Sequence, residues 1–146
     1  MPRKVGGDLD AVGVKIIENV VFPKYIGGTL DLSAVVTARE VIMPTYVEGS
    51  VDLNNLENID NLILSKYVGE SLRLNKLTTA EGLELPEYIG DFLDLSGLTT
   101  VKNLKLPKHI GGTLNLAGIN SSEDLELPMY VGGSVVLDGL KETEHL

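Results

Sequence analysis

The stretch "PEYIGDFLDLSGLTTVKNLKL" (residues 86–106) is followed directly by "PKHIGGTLNLAGINSSEDLEL" (residues 107–127). Set one above the other, they match proline to proline and Gly90 to Gly111, and Leu93 and Leu95 fall on Leu114 and Leu116. The same frame extends in both directions. Prolines stand at 2, 23, 44, 86, 107 and 128, so every spacing is 21 or twice 21, and Ser65 fills the omitted step. Six full units and a seventh of 19 residues reach from Pro2 to Leu146 without insertion. A strict period of this length is the mark of a solenoid, in which each unit buries its apolar side only against its neighbours. The whole chain, 1–146, thus reads as one repeat domain.

With the proline as slot 1, seven slots recur as apolar: 4, 8, 10, 13, 16, 19 and 21. Slot 4, for example, holds Val5, Ile26, Val47, Val68, Ile89, Ile110 and Val131, and slot 10 is Leu in every unit but the first, which has Ala11. Slots 8 and 10, and slots 19 and 21, have the one-in, one-out spacing of a strand. No unit offers an amphipathic run long enough for a helix and free of Pro and Gly. These patterns predict an all-β solenoid of seven stacked 21-residue coils with two short parallel strands per coil. It is right-handed by the general rule for parallel crossovers. At about 4.8 Å per coil the stack is roughly 33 Å long.

The charges agree with that stacking, because residue i should neighbour residues i±21. Slot 17 reads Glu81, Lys102, Glu123; slot 20 reads Glu84, Lys105, Glu126; slot 2 reads Lys66, Glu87, Lys108; and slot 9 reads Asp52, Arg73, Asp94. Each exposed pair is worth only about 0.2–1 kcal/mol, so the alternation reports register more than stability. Slots 5 and 6 are mostly Gly, with Glu48, Glu70 and Asp91 as exceptions. This predicts a corner that needs positive φ or a close approach of backbones.

Composition narrows the function classes. The formal net charge is −9, which disfavours nucleic acid and anionic membrane, since both select a basic face. There is no cysteine, hence no disulfide and no thiolate metal site. No apolar signal segment or membrane-spanning run is present, and both a cytoplasmic and a secreted location fit. The first unit is unusually apolar and the last ends in charged residues. Neither resembles a dedicated cap, so end-to-end self-association is one expected partnership.

The L-x-L-x-x-L pattern in 21-residue units resembles the leucine-rich repeat family, across the whole chain through slots 8, 10, 13, 16, 19 and 21. It departs from that family in carrying Leu, Ile or Val at slot 13 rather than a turn-bonding Asn. A flatter two-sheet solenoid is the alternative to a curved horseshoe. What the resemblance implies is protein or glycan binding on a sheet face rather than catalysis.

The candidate binding residues form slot 3: Tyr25, Tyr46, Tyr67, Tyr88, His109 and Tyr130, with Lys4 in the first unit. All five tyrosines of the protein stand there, and stacking would make an aromatic ladder along a corner, either structural or recognitive. His109 reads as an aromatic stand-in. Slot 9 (Asp10, Asp31, Asp52, Asp94) and slot 7 (Thr29, Ser50, Ser71, Thr113, Ser134) read as a solvated acidic face, without a calcium or ice-binding motif. His109 and His145 fall in different slots, and no nucleophile elbow, zinc motif or phosphate loop occurs, so no catalytic residue, metal or cofactor is expected. The expected function is a non-catalytic repeat module for protein or glycan binding and scaffolding. The alternative is a passive spacer or an engineered, idealised array without a ligand.

Overall fold

The computed structural model describes residues 3–79 and 81–140. The chain is a parallel β-solenoid of about six turns with 21-residue spacing, and the described residues contain no helix. Two seven-stranded sheets run along it in strict coil order. One uses slots 3 and 4, from Lys4–Val5 through Tyr67–Val68 to Tyr130–Val131. The other uses slots 8 and 9, from Leu9–Asp10 through Leu72–Arg73 to Val135–Val136. Pairing is offset by one period throughout, as in Tyr67↔Tyr88 and Leu72↔Leu93. The seven apolar slots face inward through the stack, with Val14 in the first coil and Leu127 in the sixth left exposed. Ile26, Leu30, Leu32 and Val35 are fully buried, as are their counterparts Ile89, Leu93, Leu95 and Leu98. Each buried aliphatic side chain contributes about 1.5–3 kcal/mol.

Strand placement differs from the sequence expectation in one respect. Slots 8–10 are extended as expected, but slots 3–4, expected as a corner, are also strand. Slots 19–21 do not form a strand of their own in every coil. They join a third sheet of three strands, Ile16–Val21, Thr37–Ile42 and Asn58–Ile63, confined to the first three coils. At slot 18, just before slots 19–21, the chain is left-handed in each of six coils: Asn19 (φ 54°), Glu40 (52°), Asn61 (55°), Gly82 (78°), Asn103 (60°) and Asp124 (64°). Inward slots 16 and 19 are three residues apart, and an extended chain cannot place both on one face. One left-handed residue between them resets the alternation. Asn, Asp and Gly tolerate that conformation; Glu40 holds it at a cost.

In the later coils the same segment tightens into a turn. The Leu104 N–H donates to the Val101 carbonyl at 3.0 Å, and the Leu125 N–H to Ser122 at 3.1 Å. Thr100 and Ser121 hydroxyls accept the N–H groups of Lys102 and Glu123, each at 3.1 Å. Coils 1–3 carry Ile16, Thr37 and Asn58 at that slot, and there the segment stays extended.

The remaining corners are also explicit. A turn over slots 10–13 recurs, as where the Val35 N–H donates to Leu32 at 3.0 Å and the Leu98 N–H to Leu95 at 3.0 Å. At slot 5 within the stack, glycine is favoured by close approach rather than by positive φ, with Glu48 the one side chain accommodated there. A Cβ on Gly90 would run into the carbonyl oxygen of Gly69 in the coil before it, and one on Gly111 into that of Gly90.

Candidate functional site

The structure brings the whole slot 3 column together. Because that slot lies on a parallel strand, each ring falls one strand spacing from the next. Ring centroids are 5.4 Å apart for Tyr25–Tyr46, 4.1 Å for Tyr46–Tyr67, 4.7 Å for Tyr67–Tyr88, 4.6 Å for Tyr88–His109 and 4.7 Å for His109–Tyr130. Interplanar angles stay within 18°. The Lys4 ammonium lies over the Tyr25 ring, 4.8 Å from its centroid. His109 is thus one more rung, with Tyr88 on one face and Tyr130 on the other.

The geometry sets what this ladder can offer. From Tyr25 to His109, both faces of every ring are covered by the neighbouring side chains. The rungs from Tyr25 to His109 are half-buried, while Tyr130 is the most open at 53% exposure. A sugar that packs on an aromatic face finds none free in the middle of the column.

Glu48 modifies the first half of the ladder. It is the one exception to Gly at slot 5, and its exposed carboxylate stands among the phenols. Hydrogen bonding to Glu48 holds the Tyr25 hydroxyl above the usual tyrosine range, with desolvation and the Glu48 charge adding to the shift. Tyr67 is raised first by its hydrogen bond with Tyr46, then by burial and by the charges of Tyr46 and Glu48. The sequence signal for Glu48 was its break with the glycine column.

The second candidate face has less to offer than its composition suggests, because its polar groups are bonded to backbone. At slot 9, Asp31, Asp52 and Asp94 accept the N–H groups of Ser33, Asn54 and Ser96 at 2.9, 3.1 and 3.0 Å, and Asn115 accepts that of Ala117 at 3.0 Å. These are Asx turns that lead each leucine-sheet strand into the next corner. Hydrogen bonds from Ser33, its hydroxyl first and its backbone N–H second, hold Asp31 below the usual carboxylate range, against a smaller opposing effect of burial. At slot 7 each hydroxyl accepts the N–H of the next coil: Thr29 from Ser50 at 3.2 Å, Ser50 from Ser71 at 3.1 Å, and Ser71 from Phe92 at 3.3 Å. Arg73, which interrupts the aspartates, places its guanidinium 4.7 Å from the Phe92 ring centroid. No group of three or more His, Cys, Asp or Glu side chains among the described residues is arranged to hold a metal ion. His145 lies outside the described residues.

The third side carries a feature that the repeat reading passed over. Slot 20 presents Val21, Ile42 and Ile63 in register, exposed at 62, 45 and 54%. The column then changes to Glu84, Lys105 and Glu126. Where the third sheet stops, a groove of about 880 Å³ opens between the Asn58–Ile63 strand and the turns of the next two coils. Ile63, Ser65, Leu83 and Leu106 line it, with Glu84 and Lys105 at its rim. The Ser65 hydroxyl is buried without a hydrogen-bond partner. The switch of slot 20 from aliphatic to charged residues was legible in the sequence.

No protein-family model matches the chain, and no curated protein or solved structure matches it.

Proposed function

We propose that this protein is a non-catalytic scaffold that binds another protein along its side. The observation carrying this reading is the in-register stripe Val21–Ile42–Ile63 beside the groove. Contiguous exposed aliphatic surface rimmed by charge is characteristic of protein contact surfaces. Glycan recognition at slot 3 has less support, because ring faces from Tyr25 to His109 are already covered by their neighbours. The exposed Glu48, bonded to the Tyr25 hydroxyl, offers a polar contact beside the ladder. The leucine-rich-repeat likeness belongs to this proposal: it would assign binding to a sheet face of a repeated rod.

A passive spacer is the second reading. It is favoured by the use of slot 7 and slot 9 polar groups within the solenoid itself.

Two variants separate these readings. Val21→Thr/Ile42→Thr/Ile63→Thr keeps β-branched residues on the exposed strand face. Tyr46→Ala/Tyr67→Ala/Tyr88→Ala removes the middle of the ladder. Each is compared with the parent by thermal unfolding and by binding to an immobilised protein and glycan panel. The scaffold reading expects the threonine variant to melt near the parent and lose protein binding, and the alanine variant to lose stability. Glycan binding lost with the tyrosines, or no binding by the parent at all, would sink it.

A further inference from the structure

The third sheet stops at the Asn58–Ile63 strand, although the chain continues beside it into a fourth coil. The backbone bonds of the first three coils show what is missing there. The Lys15 carbonyl accepts the N–H groups of Val36 and Thr37 at 2.7 and 3.1 Å, and the Val36 carbonyl accepts those of Glu57 and Asn58 at 2.9 and 3.0 Å. The Phe22 N–H donates to the Ile42 carbonyl and the Met43 N–H to that of Ile63, each at 2.9 Å. One coil further on, neither Thr78 nor Thr79 donates to the Glu57 carbonyl, and the Leu64 N–H makes no bond to Glu84. By the pleat, the Ile59 N–H and carbonyl lie on the same edge, and no backbone bond joins them to Thr79 or Glu81. The Glu81 N–H turns instead to the Thr79 hydroxyl at 3.4 Å. The edge thus borders the groove rather than a strand. Ser65 lines the same groove, 3% exposed, with its hydroxyl unpaired.

We infer that this edge takes an extended segment of a partner protein as a fourth strand, parallel to Asn58–Ile63, an inference that rests on the side-on scaffold reading and names the form of its partner. An unpaired edge is a template for strand addition, in which main-chain bonds supply affinity and alternate side chains supply specificity. The three strands already in the sheet pair in parallel, and the unbonded groups of Glu57 and Leu64 repeat the places those pairs use.

Charge defines the segment. Asp60 and Glu81 line the groove toward the start of the strand. Lys66 and Lys108 line it beyond the strand's end, with Glu87 between them in the column. A parallel segment that complements both ends carries a basic residue first and an acidic residue last. Between them, the residue beside Ile63 extends the exposed Val21–Ile42–Ile63 row and is aliphatic. Its two neighbours fall beside the buried Leu62 and Leu64 and are apolar as well.

The probe is the acetylated, amidated peptide Lys-Asn-Val-Ile-Val-Thr-Glu, which sets its lysine against Asp60 and its glutamate against Lys66. Binding to the full chain is followed by amide chemical shifts in nuclear magnetic resonance, beside the same peptide with lysine and glutamate exchanged. Saturable shifts of the Ile59 and Leu64 amides are expected, with a preference of about fivefold or more for the first peptide. Asp60→Lys/Lys66→Glu changes two exposed positions, and is expected to melt near the parent and reverse that preference. Absence of saturable shifts at Ile59 and Leu64 would overturn the inference, as would equal or tighter binding of the exchanged peptide. So would a parent that pairs this edge with a second copy, read as a doubled mass in light scattering with the peptide excluded. The scaffold reading fails separately. A parent that ignores the peptide, yet binds a protein of the panel and loses it in Val21→Thr/Ile42→Thr/Ile63→Thr, keeps the side-on contact and rejects only the added strand.

Discussion

At the scale of single residues, small polar side chains do most of the local shaping. Slot 9 looked like a charged surface, but its carboxylates hold the turn that follows. Asp31 is the case with a direct consequence in pH. Its folded pKa is depressed, so its contribution is present above the unfolded value near 3.9 and is lost as pH falls through the folded value. Asn115 makes the same turn with a neutral amide. Asp31→Asn should therefore keep the fold and lose up to about 1 kcal/mol at pH 7, where the charged acceptor is stronger. The gap between parent and variant should close in chemical denaturation as pH drops below about 4. A gap that is the same at pH 7 and pH 3 would show that the carboxylate's charge contributes nothing. The turn itself was harder to read from sequence, because an exposed Asp column and a turn-forming Asp column look alike until the N–H two residues on is located. Glu40 differs again. Its φ of 52° is tolerated between Asn19 and Asn61, and its carboxylate accepts a hydrogen bond from the Asn61 amide at 2.7 Å.

Among the elements, the apolar slots were legible because their burial follows from periodicity alone. Strand position was not, for two physical reasons. The tyrosine-sheet strands are two residues long and cannot display alternation. The left-handed residue at slot 18 breaks the alternation between inward slots 16 and 19, just ahead of slots 19 and 21, whose spacing suggested a strand. That column, Asn, Glu, Asn, Gly, Asn, Asp, carries its own signal, since most of its members tolerate φ > 0. Ser65 marks another departure. It takes the place of proline where the third sheet gives way to turns, and its hydroxyl is buried without a partner. The equivalent positions show that this corner accepts the proline φ. Ser65→Pro removes the unsatisfied hydroxyl and narrows the unfolded ensemble, so it should stabilise the protein by about 0.5–2 kcal/mol in urea unfolding. A destabilised variant would mean that the serine N–H or hydroxyl holds a partner in solution.

For the whole molecule, the constant period makes each coil exchangeable in register but not in charge. Deleting residues 86–106 joins Leu85 to Pro107 and leaves every inward slot occupied, so the shortened chain should still fold cooperatively, with stability reduced by roughly one coil's share of the stack. The deletion also removes the alternation of sign. Lys66 would face Lys108, and the slot 17 and slot 20 columns would bring Glu81 to Glu123 and Glu84 to Glu126. Each like-charged pair costs about 0.2–1 kcal/mol at the surface, and salt screens it over a Debye length of about 10 Å at 0.1 M. The shortened chain should therefore gain more melting temperature from added salt than the parent, whose unlike neighbours lose attraction under the same screening. Removing ten residues instead would shift inward slots against outward ones in the neighbouring coil and should abolish folding. Equal salt responses in parent and 21-residue deletion would show that these columns lie too far from one another to interact. The stack would then be held by its aliphatic layers and backbone ladders, with the alternating charges contributing nothing to its register.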